Sequence, residues 1–290
     1  SRGLGDVYKR QYTFVLPDFI GLLVFIIIPI IYSFYMSLYD WNFANIKQFI
    51  GIQNYVTMFS DSEWWQSLGR TFKLTLLYVP ALFILSILFA VLINYVKNEK
   101  AAGFVKTAFL LPYSITSVIA SCLWMFLYMD RSVFMNLFLK AFGLKGEKFL
   151  GSTSQAMVCI AVVLIWINLG YNIILFLSAI KDIPYSYYEA AKLDGANSWQ
   201  TFWKITFPLL KPTSVFVLIT SVIASFQCLD LIMVMTGGGP AKSTEVASLY
   251  IYKQSFEMMK AGYGAGLSVV MFLILTVLAV IMLKINGKEE

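Results

Sequence analysis

Apolar residues run along this chain in six long blocks, separated by connections that are polar and rich in aromatics. The blocks are Phe14–Leu38, Phe72–Tyr95, Thr107–Met129, Ala156–Ile180, Thr213–Met235 and Ala265–Ile285. A membrane-crossing helix needs about 20 mostly apolar residues at a rise of about 1.5 Å each. The pattern therefore predicts an all-α, polytopic membrane protein with six transmembrane helices in a single domain over residues 12–290. Pro17, Pro29, Pro80 and Pro112 fall inside blocks. Proline is tolerated in membrane helices when neighbouring segments re-satisfy the freed carbonyls, so these prolines point to a packed bundle. Six spans put both ends on one side, together with the connections Val96–Lys106 and Lys181–Pro212. The connections Tyr39–Thr71, Asp130–Gln155 and Thr236–Gly264 share the other side. Lys and Arg divide almost evenly between the two sides, so the positive-charge rule leaves the orientation open. The aromatic stretch from Asn54-Tyr55 to Trp64-Trp65 suits anchoring at the membrane–water interface, with contact to a partner protein as the alternative.

Composition agrees with a membrane location. Hydrophobic residues make up 59% of the chain and charged residues 13%, against about 25% charge in soluble domains. The net charge of +6 is carried by basic residues scattered singly along connections, which points to solvated loops rather than nucleic acid. The absence of histidine excludes His–Zn sites and Ser-His or Cys-His catalysis. Cys122, Cys159 and Cys228 lie far apart in apolar stretches and read as small hydrophobes, not a disulfide or metal framework. The first eleven residues, SRGLGDVYKRQ, do not fit the apolar pattern of the remaining chain. They resemble the in-frame translation of a common transposon-based sequencing adapter and are set aside from fold reasoning.

Between two apolar blocks lies a polar, partly helical island, YYEAAKLDGANSWQTFWKITFP, from Tyr187 to Pro208. Ser186 and Glu189 match a capping box, while Pro184 offers an N1 position and a slightly earlier start. Either start gives a short helix carrying Glu189, Ala190, Ala191 and Leu193, with Gly195 suited to a left-handed C-terminal cap. Asn197 or Ser198 can cap a second helix bearing Trp199, Phe202 and Ile205, which Pro208 and Pro212 punctuate. Small residues admit a close approach by another surface, and aromatics can anchor the element to its own bundle. From these residues alone, docking and an ordinary interfacial helix pair stand level.

Polar groups inside the blocks are the other candidates, because they are costly in lipid and face a bundle interior or cavity. Asn168 and Asn172 are spaced i,i+4, with Trp166 and Tyr171 beside them. Ser221 and Ser225 repeat that spacing, succeeded by Gln227 and Asp230. Amides, hydroxyls and aromatic faces together suit a sugar. The competing role for serine and asparagine is interhelical hydrogen bonding, and Asp230 can equally bond the Thr236–Pro240 turn. The stretch GGGPAKST from Gly237 to Thr244 superficially resembles a phosphate-binding loop. It has Ala241 where that motif needs glycine and no preceding strand, so it is rejected. Gly262 and Gly266 form a small-xxx-small pair suited to close helix contact.

The spacing Glu189-Ala190-Ala191, three residues, Gly195, nine residues, Ile205, Phe207, Pro208 resembles the signature of integral-membrane subunits of bacterial ATP-binding-cassette importers. Phe207 stands where that pattern has leucine. The stretches LLVFIIIPIIYSFYMSLYDW, FVKTAFLLPYSIT, IPYSYYEAAKLDGA and SFQCLDLIMVMTGGGPAKST are similar to the carbohydrate branch, the permeases of the maltose, lactose and glycerol-phosphate type. The resemblance implies that both termini and the island are cytoplasmic, in a bacterial inner membrane. It implies that the helix from Glu189 to Gly195 sits in a groove on an ATPase and rocks the bundle between outward- and inward-open states. Glu189 would then be a polar anchor, Ala190 and Ala191 the close-contact face, and Gly195 the turn, with Asp194, Ile205 and Pro208 completing the ATPase-coupling set. The path residues whose registers match best are Leu169, Gly170, Ile173, Ser221, Ser225 and Cys228. The expected partners are a sister permease, two ATPase subunits holding ATP and Mg²⁺, and an extracytoplasmic sugar-binding protein. This chain itself would hold no cofactor, perform no chemical step and bind no nucleic acid. Within transport the alternative is a permease for glycerol 3-phosphate or another polar solute. From other classes, an ion-coupled carrier is poor, since Asp18 and Asp230 lie near block ends, and a purely structural scaffold is a third reading.

Overall fold

The computed structural model describes residues 14–44, 47–129, 133–143 and 146–286, and the adapter-like Ser1–Gln11 lies outside them. Four helices are long and apolar enough to cross a membrane, and two further pairs qualify if each bent pair is one span. The long helices match the first, second, fourth and sixth apolar blocks. The third and fifth blocks do not form the single straight helices that their uninterrupted hydropathy suggests.

The chain divides into two compact units. The first joins Ser1–Ser62 to Ile251–Ile274. Its α1 (Phe14–Met36) has no buried residue in its most apolar stretch, as expected of a helix that meets lipid or another subunit. Pro29 has no N–H to offer the ladder, and the preceding turn, Leu23–Ile27, opens into a π-helical turn that Ile28 closes on the Leu23 carbonyl. Past α1, the strands β1 (Tyr39–Asp40) and β2 (Gln48–Phe49) pair antiparallel, with Tyr39 opposite Phe49. The helix α2 (Gln53–Ser60) comes next. The loop expected over Tyr39–Thr71 is thus structured, because the backbone leaving the membrane must find partners of its own.

Asn54 supplies two of them. Its buried Nδ2 donates to the carbonyls of Ser37 at 2.8 Å and Tyr39 at 3.1 Å. Asn54→Ala orphans both oxygens, and an unsatisfied buried group costs about 1–3 kcal/mol. The expected outcome is a lower Tm for the purified protein; an unchanged Tm would show that other groups satisfy these carbonyls.

In the second unit, Glu63–Tyr250 with Leu275–Glu290, α3 (Ser62–Asn94) runs the full length of a span with Pro80 inside it. It begins ten residues before the apolar block at Phe72, because the amphipathic stretch Trp64–Thr71 buries Trp64, Ser67, Leu68 and Thr71 on one face. Next come α4 (Glu99–Leu110), a 3₁₀ turn at Leu111–Ser114, and α5 (Ser117–Tyr128). The whole stretch bends by 100° between Ser114 and Ser117. Pro112 occupies the 3₁₀ turn and Thr116 caps α5 by accepting from the Ile119 N–H, two stop signals that outweigh apolar character. The remaining elements are α6 (Val133–Ala141), α7 (Ala156–Asp182), α8 (Tyr185–Leu193), α9 (Ser198–Leu209), α10 (Lys211–Phe226), α11 (Leu229–Met235) and α12 (Ala247–Tyr252). The helix α13 (Ala261–Asn286) carries the last apolar block. The fifth block is therefore split at Gln227–Cys228 into α10 and α11.

Helix packing in this unit rests on interdigitation, since lipid tails remove most of the hydrophobic drive between spans. Ile87, Ala90 and Ile93 of α3, Ala102 of α4, Ile173, Phe176, Leu177 and Ile180 of α7, and Leu210 and Val217 form one buried cluster. Phe83 meets Phe176 edge-on with ring centroids 5.6 Å apart. Gly170 lets α7 touch α4: a Cβ there would overlap the backbone carbonyl of Phe109. Beside it the rings of Tyr113 and Tyr171 stack at 4.9 Å. The predicted Gly262/Gly266 pair behaves differently from expectation. Gly262 packs on the Tyr39 carbonyl of a strand rather than on a helix, while Gly266 has only ordinary contact with Asn54 and Ser37.

Candidate functional site

The island folds as two short helices at the end of the buried cluster. Pro184 is the N-cap residue of α8, which begins at Tyr185 and has no side-chain cap. The start is earlier than Ser186, so the Ser186–Glu189 capping box does not form; with Ser186 inside the first turn, its hydroxyl is no longer at the helix end. At the other end Gly195 has φ +76°. The Gly195 N–H donates to the Lys192 carbonyl at 3.2 Å and the Ala196 N–H to the Ala191 carbonyl at 2.9 Å. These are the two bonds of a Schellman closure, which needs a left-handed residue at Gly195. A Cβ on Gly195 would meet nothing within 4 Å. Glycine is demanded here by backbone conformation, and the space beyond it is open.

Exposure sorts the motif residues. Glu189, Ala190 and Asp194 are exposed, as is Leu193 at 89%. Ala191 is only 6% exposed, which corrects its assignment to the outward face: one residue on from Ala190 is a turn of about 100°, and that carries it against its own chain. Leu193, which the sequence places on this helix without giving it a role, is an almost fully exposed apolar side chain; its place in register with Glu189 and Ala190 was the available signal.

Asn197, not Ser198, caps α9. Its Oδ1 accepts from the Gln200 N–H at 2.9 Å while its own N–H donates to Gln200 Oε1 at 3.0 Å, a complete capping box. The aromatics then divide. Phe202 and Phe207 pack on the buried cluster, whereas Trp199 is 70% exposed. Pro208 is exposed and Ile205 half-buried. Pro208 again lacks an N–H, and Phe202–Thr206 forms a π-helical turn that Phe207 closes on Phe202. The Tyr188 hydroxyl and Thr206 Oγ1, 3.3 Å apart, tie α8 to α9. A cleft of about 910 Å³ lies beneath, lined by Asn94, Tyr95, Lys181, Tyr188, Lys192 and Thr201 among others. The island is thus an exposed knuckle with two phenylalanines rooted where α3, α7 and α10 meet.

The helices that carry the candidate path residues, α7 and α10, pack on each other, but most of these residues are taken up by contacts within the chain. Asn168 Nδ2 donates to the Leu164 carbonyl and Asn172 Nδ2 to the Asn168 carbonyl, both at 2.9 Å and both along their own helix. Gly170 is consumed by the contact with α4, and Ile173 belongs to the buried cluster with Leu169 packed against it. Ser221 is buried. Ser225 is fully buried, donates to the Val222 carbonyl at 2.7 Å and pairs with Thr75 Oγ1 at 2.7 Å. Thr75 continues a hydroxyl stripe down α3, through Thr71, which also accepts from the Ala247 N–H at 2.8 Å, to Ser67. The spacing 67, 71, 75 is visible in the sequence and marks one helix face. Ser225 is therefore interhelical glue. Ser225→Ala removes one such bond, worth about 0.6 kcal/mol on average. The expected result is a slightly lower Tm with the concentration dependence of transport unchanged; an altered substrate affinity would restore Ser225 to the path.

Cys228 is buried at the break, whereas Gln227 beside it is exposed. Asp230 accepts from Ser117 Oγ at 3.2 Å instead of bonding the turn after α11. The GGGPAKST stretch is closed on itself, with Thr244 bonded to the carbonyls of Gly238 and Gly239, and Lys242 Nζ lies 3.1 Å from Glu63.

Comparison with known proteins agrees with this architecture. Residues 49–287 match the family model described as "Binding-protein-dependent transport system inner membrane component". The chain is 31% identical to the trehalose/maltose transport system permease protein of Thermococcus litoralis, over 96% of this chain and 94% of that one. It is equally 31% identical to the sn-glycerol-3-phosphate transport system permease protein of Escherichia coli, with the same coverage. A chain in the crystal structure of a bacterial ABC transporter involved in import of the acidic polysaccharide alginate superposes with a TM-score of 0.84. The match covers 99% of this chain and 98% of that chain at 24% identity, a likeness of fold.

Proposed function

The chain belongs to the family of binding-protein-dependent transport inner-membrane components, and from that premise we propose that it passes a neutral sugar through the membrane by alternating access, driven by separate ATPase subunits. Its multi-pass membrane character and its role as a transport component rather than an enzyme follow from the family and the spans. The observation that carries the coupling role is the closure of α8 on a left-handed Gly195, with open space beyond it and Glu189, Ala190 and Leu193 turned outward. That surface is shaped for close approach by another protein, and Phe202 and Phe207 join it to the buried cluster.

In the working assembly this chain pairs with a sister permease. Two ATPases hold ATP and Mg²⁺ and receive α8 at the cytoplasmic face, with both termini on the same side. An extracytoplasmic binding protein delivers the solute. A conformational cycle of this kind needs an element whose contacts differ between states, and α8 with α9 is the candidate. The similarity to a glycerol-phosphate permease keeps an anionic solute as the second reading. A neutral sugar is favoured because no Lys or Arg falls in the middle of any apolar block to receive a phosphate.

The test is ATP hydrolysis by the complete complex in proteoliposomes, with binding protein and either malto-oligosaccharides, trehalose or glycerol 3-phosphate. Stimulation by a neutral sugar is expected. Stimulation by glycerol 3-phosphate alone would favour the second reading, and an unresponsive ATPase would remove the transport role.

A further inference from the structure

Two of the candidate spans are interrupted, and the interruptions meet. The α4–α5 stretch bends between Ser114 and Ser117, and the fifth block breaks at Gln227–Cys228. Ser117 at the start of α5 donates to Asp230 at the start of α11 over 3.2 Å, and these two helices pack on each other. The 16 residues of α10 carry the chain roughly 24 Å of rise from Lys211 to the break, which, counted from one face, is toward the far side of a hydrocarbon layer about 30 Å thick.

Polar side chains around this join are left uncovered by their own chain. Tyr113 is 47% exposed, and Ser114, Gln227 and Asp230 are exposed as well. Irregular backbone at membrane depth is tolerated only where protein buries it or where it lines a water-filled cavity. A carboxylate at that depth needs water or a cation, and the partner seen for Asp230 is a neutral hydroxyl. The sequence-matched path residues, in contrast, are largely occupied by packing and helix-internal bonds.

We infer that the seam of Tyr113, Ser114, Ser117, Gln227 and Asp230 is this chain's wall of the permeation pathway, and that Asp230 makes the pathway favour neutral polyhydroxylated solutes over anionic ones. The assignment rests on the transport reading and specifies its site. Tyr113, stacked on Tyr171 by one face, has ring surface left for the C–H face of a sugar. Gln227 and Asp230 offer an amide and a carboxylate to its hydroxyls. A phosphate or uronate would instead bring a second negative charge against Asp230, with no cation among the seam residues to receive it.

The experiment uses the complete importer in proteoliposomes, with Cys122, Cys159 and Cys228 replaced and Ser114→Cys introduced. The thiol is labelled with membrane-impermeant cationic and anionic methanethiosulfonates of similar size. It should react, and faster with the cation. Asp230→Asn, which can still accept from Ser117, should shift the ratio of the two rates on the order of fivefold, the effect of one nearby unit charge in a water-like dielectric. A ratio that ignores Asp230→Asn overturns the assignment. So does an unreactive thiol in an importer whose ATPase still responds to solute. Loss of that response in the unmodified importer would instead overturn the transport reading, and this assignment with it.

Discussion

Gly195→Asp is expected to abolish the proposed ATP-driven uptake while the protein inserts and accumulates at its normal level. The backbone at this position has φ +76°. A side chain in the left-handed region costs about 1–2 kcal/mol, least for Asn and Asp, which is less than the roughly 5–15 kcal/mol that holds a domain together. The Cβ meets nothing within 4 Å in its own chain. Bulk and charge therefore project from the α8 closure into the space that a docking partner would fill. Damage should scale with what projects: mild for Gly195→Ala, larger for Gly195→Asn, complete for Gly195→Asp. Uptake into membrane vesicles, read beside an immunoblot and a Tm, separates the cases. Normal uptake by the Asp variant would remove the docking role, and its loss from the membrane would assign the effect to folding.

Gly170→Ala has the opposite signature. Its Cβ would overlap the Phe109 carbonyl, and a backbone oxygen cannot rotate aside as a side chain can. Helices α7 and α4 must separate, which also strains the Tyr113–Tyr171 stack. Overpacking typically costs about 1–3 kcal/mol, occasionally more, and contact with backbone on both sides puts this substitution at the upper end. The expected outcome is poor accumulation and a clear drop in Tm, with unchanged solute preference in whatever protein survives. A stable Gly170→Ala protein with altered preference would return Gly170 to the path.

These two glycines show where sequence was informative and where it was not. Gly195 was legible because helix termination is local: a glycine that closes one short helix just before the cap of the next has one common use. The next cap was legible as Asn197 or Ser198 for the same reason, and the structure selects Asn197 and adds Gln200 as its partner. Gly170 was not, because its use depends on Phe109, some sixty residues away, and no local pattern announces which backbone will press on it. The straight spans followed from hydropathy, but hydropathy does not see stereochemistry. Pro112 and the Thr116 cap bend the third block, and the split at Gln227–Cys228 lies in an otherwise apolar stretch. Ala191 was misplaced because a motif names residues without saying which way each one faces, whereas the helix turns them one after another. Asn168, Asn172 and Ser225 were chosen for their polarity; in the folded chain helix carbonyls take up both amide Nδ2 groups and Thr75 pairs with Ser225, while the Asn172 Oδ1 is buried without a partner.

The coupling role requires α8 to be grasped by an ATP-hydrolysing protein on the cytoplasmic side. Leu193, 89% exposed at the end of that helix, is the position from which to test it. In the assembled importer with its native cysteines replaced, a Leu193→Cys thiol carrying a short photo-cross-linker should capture the ATPase subunit, with a yield that changes when ATP is bound. Capture of an extracytoplasmic protein, or the absence of an ATPase adduct from an importer that is still transporting, would show that α8 is not the coupling element.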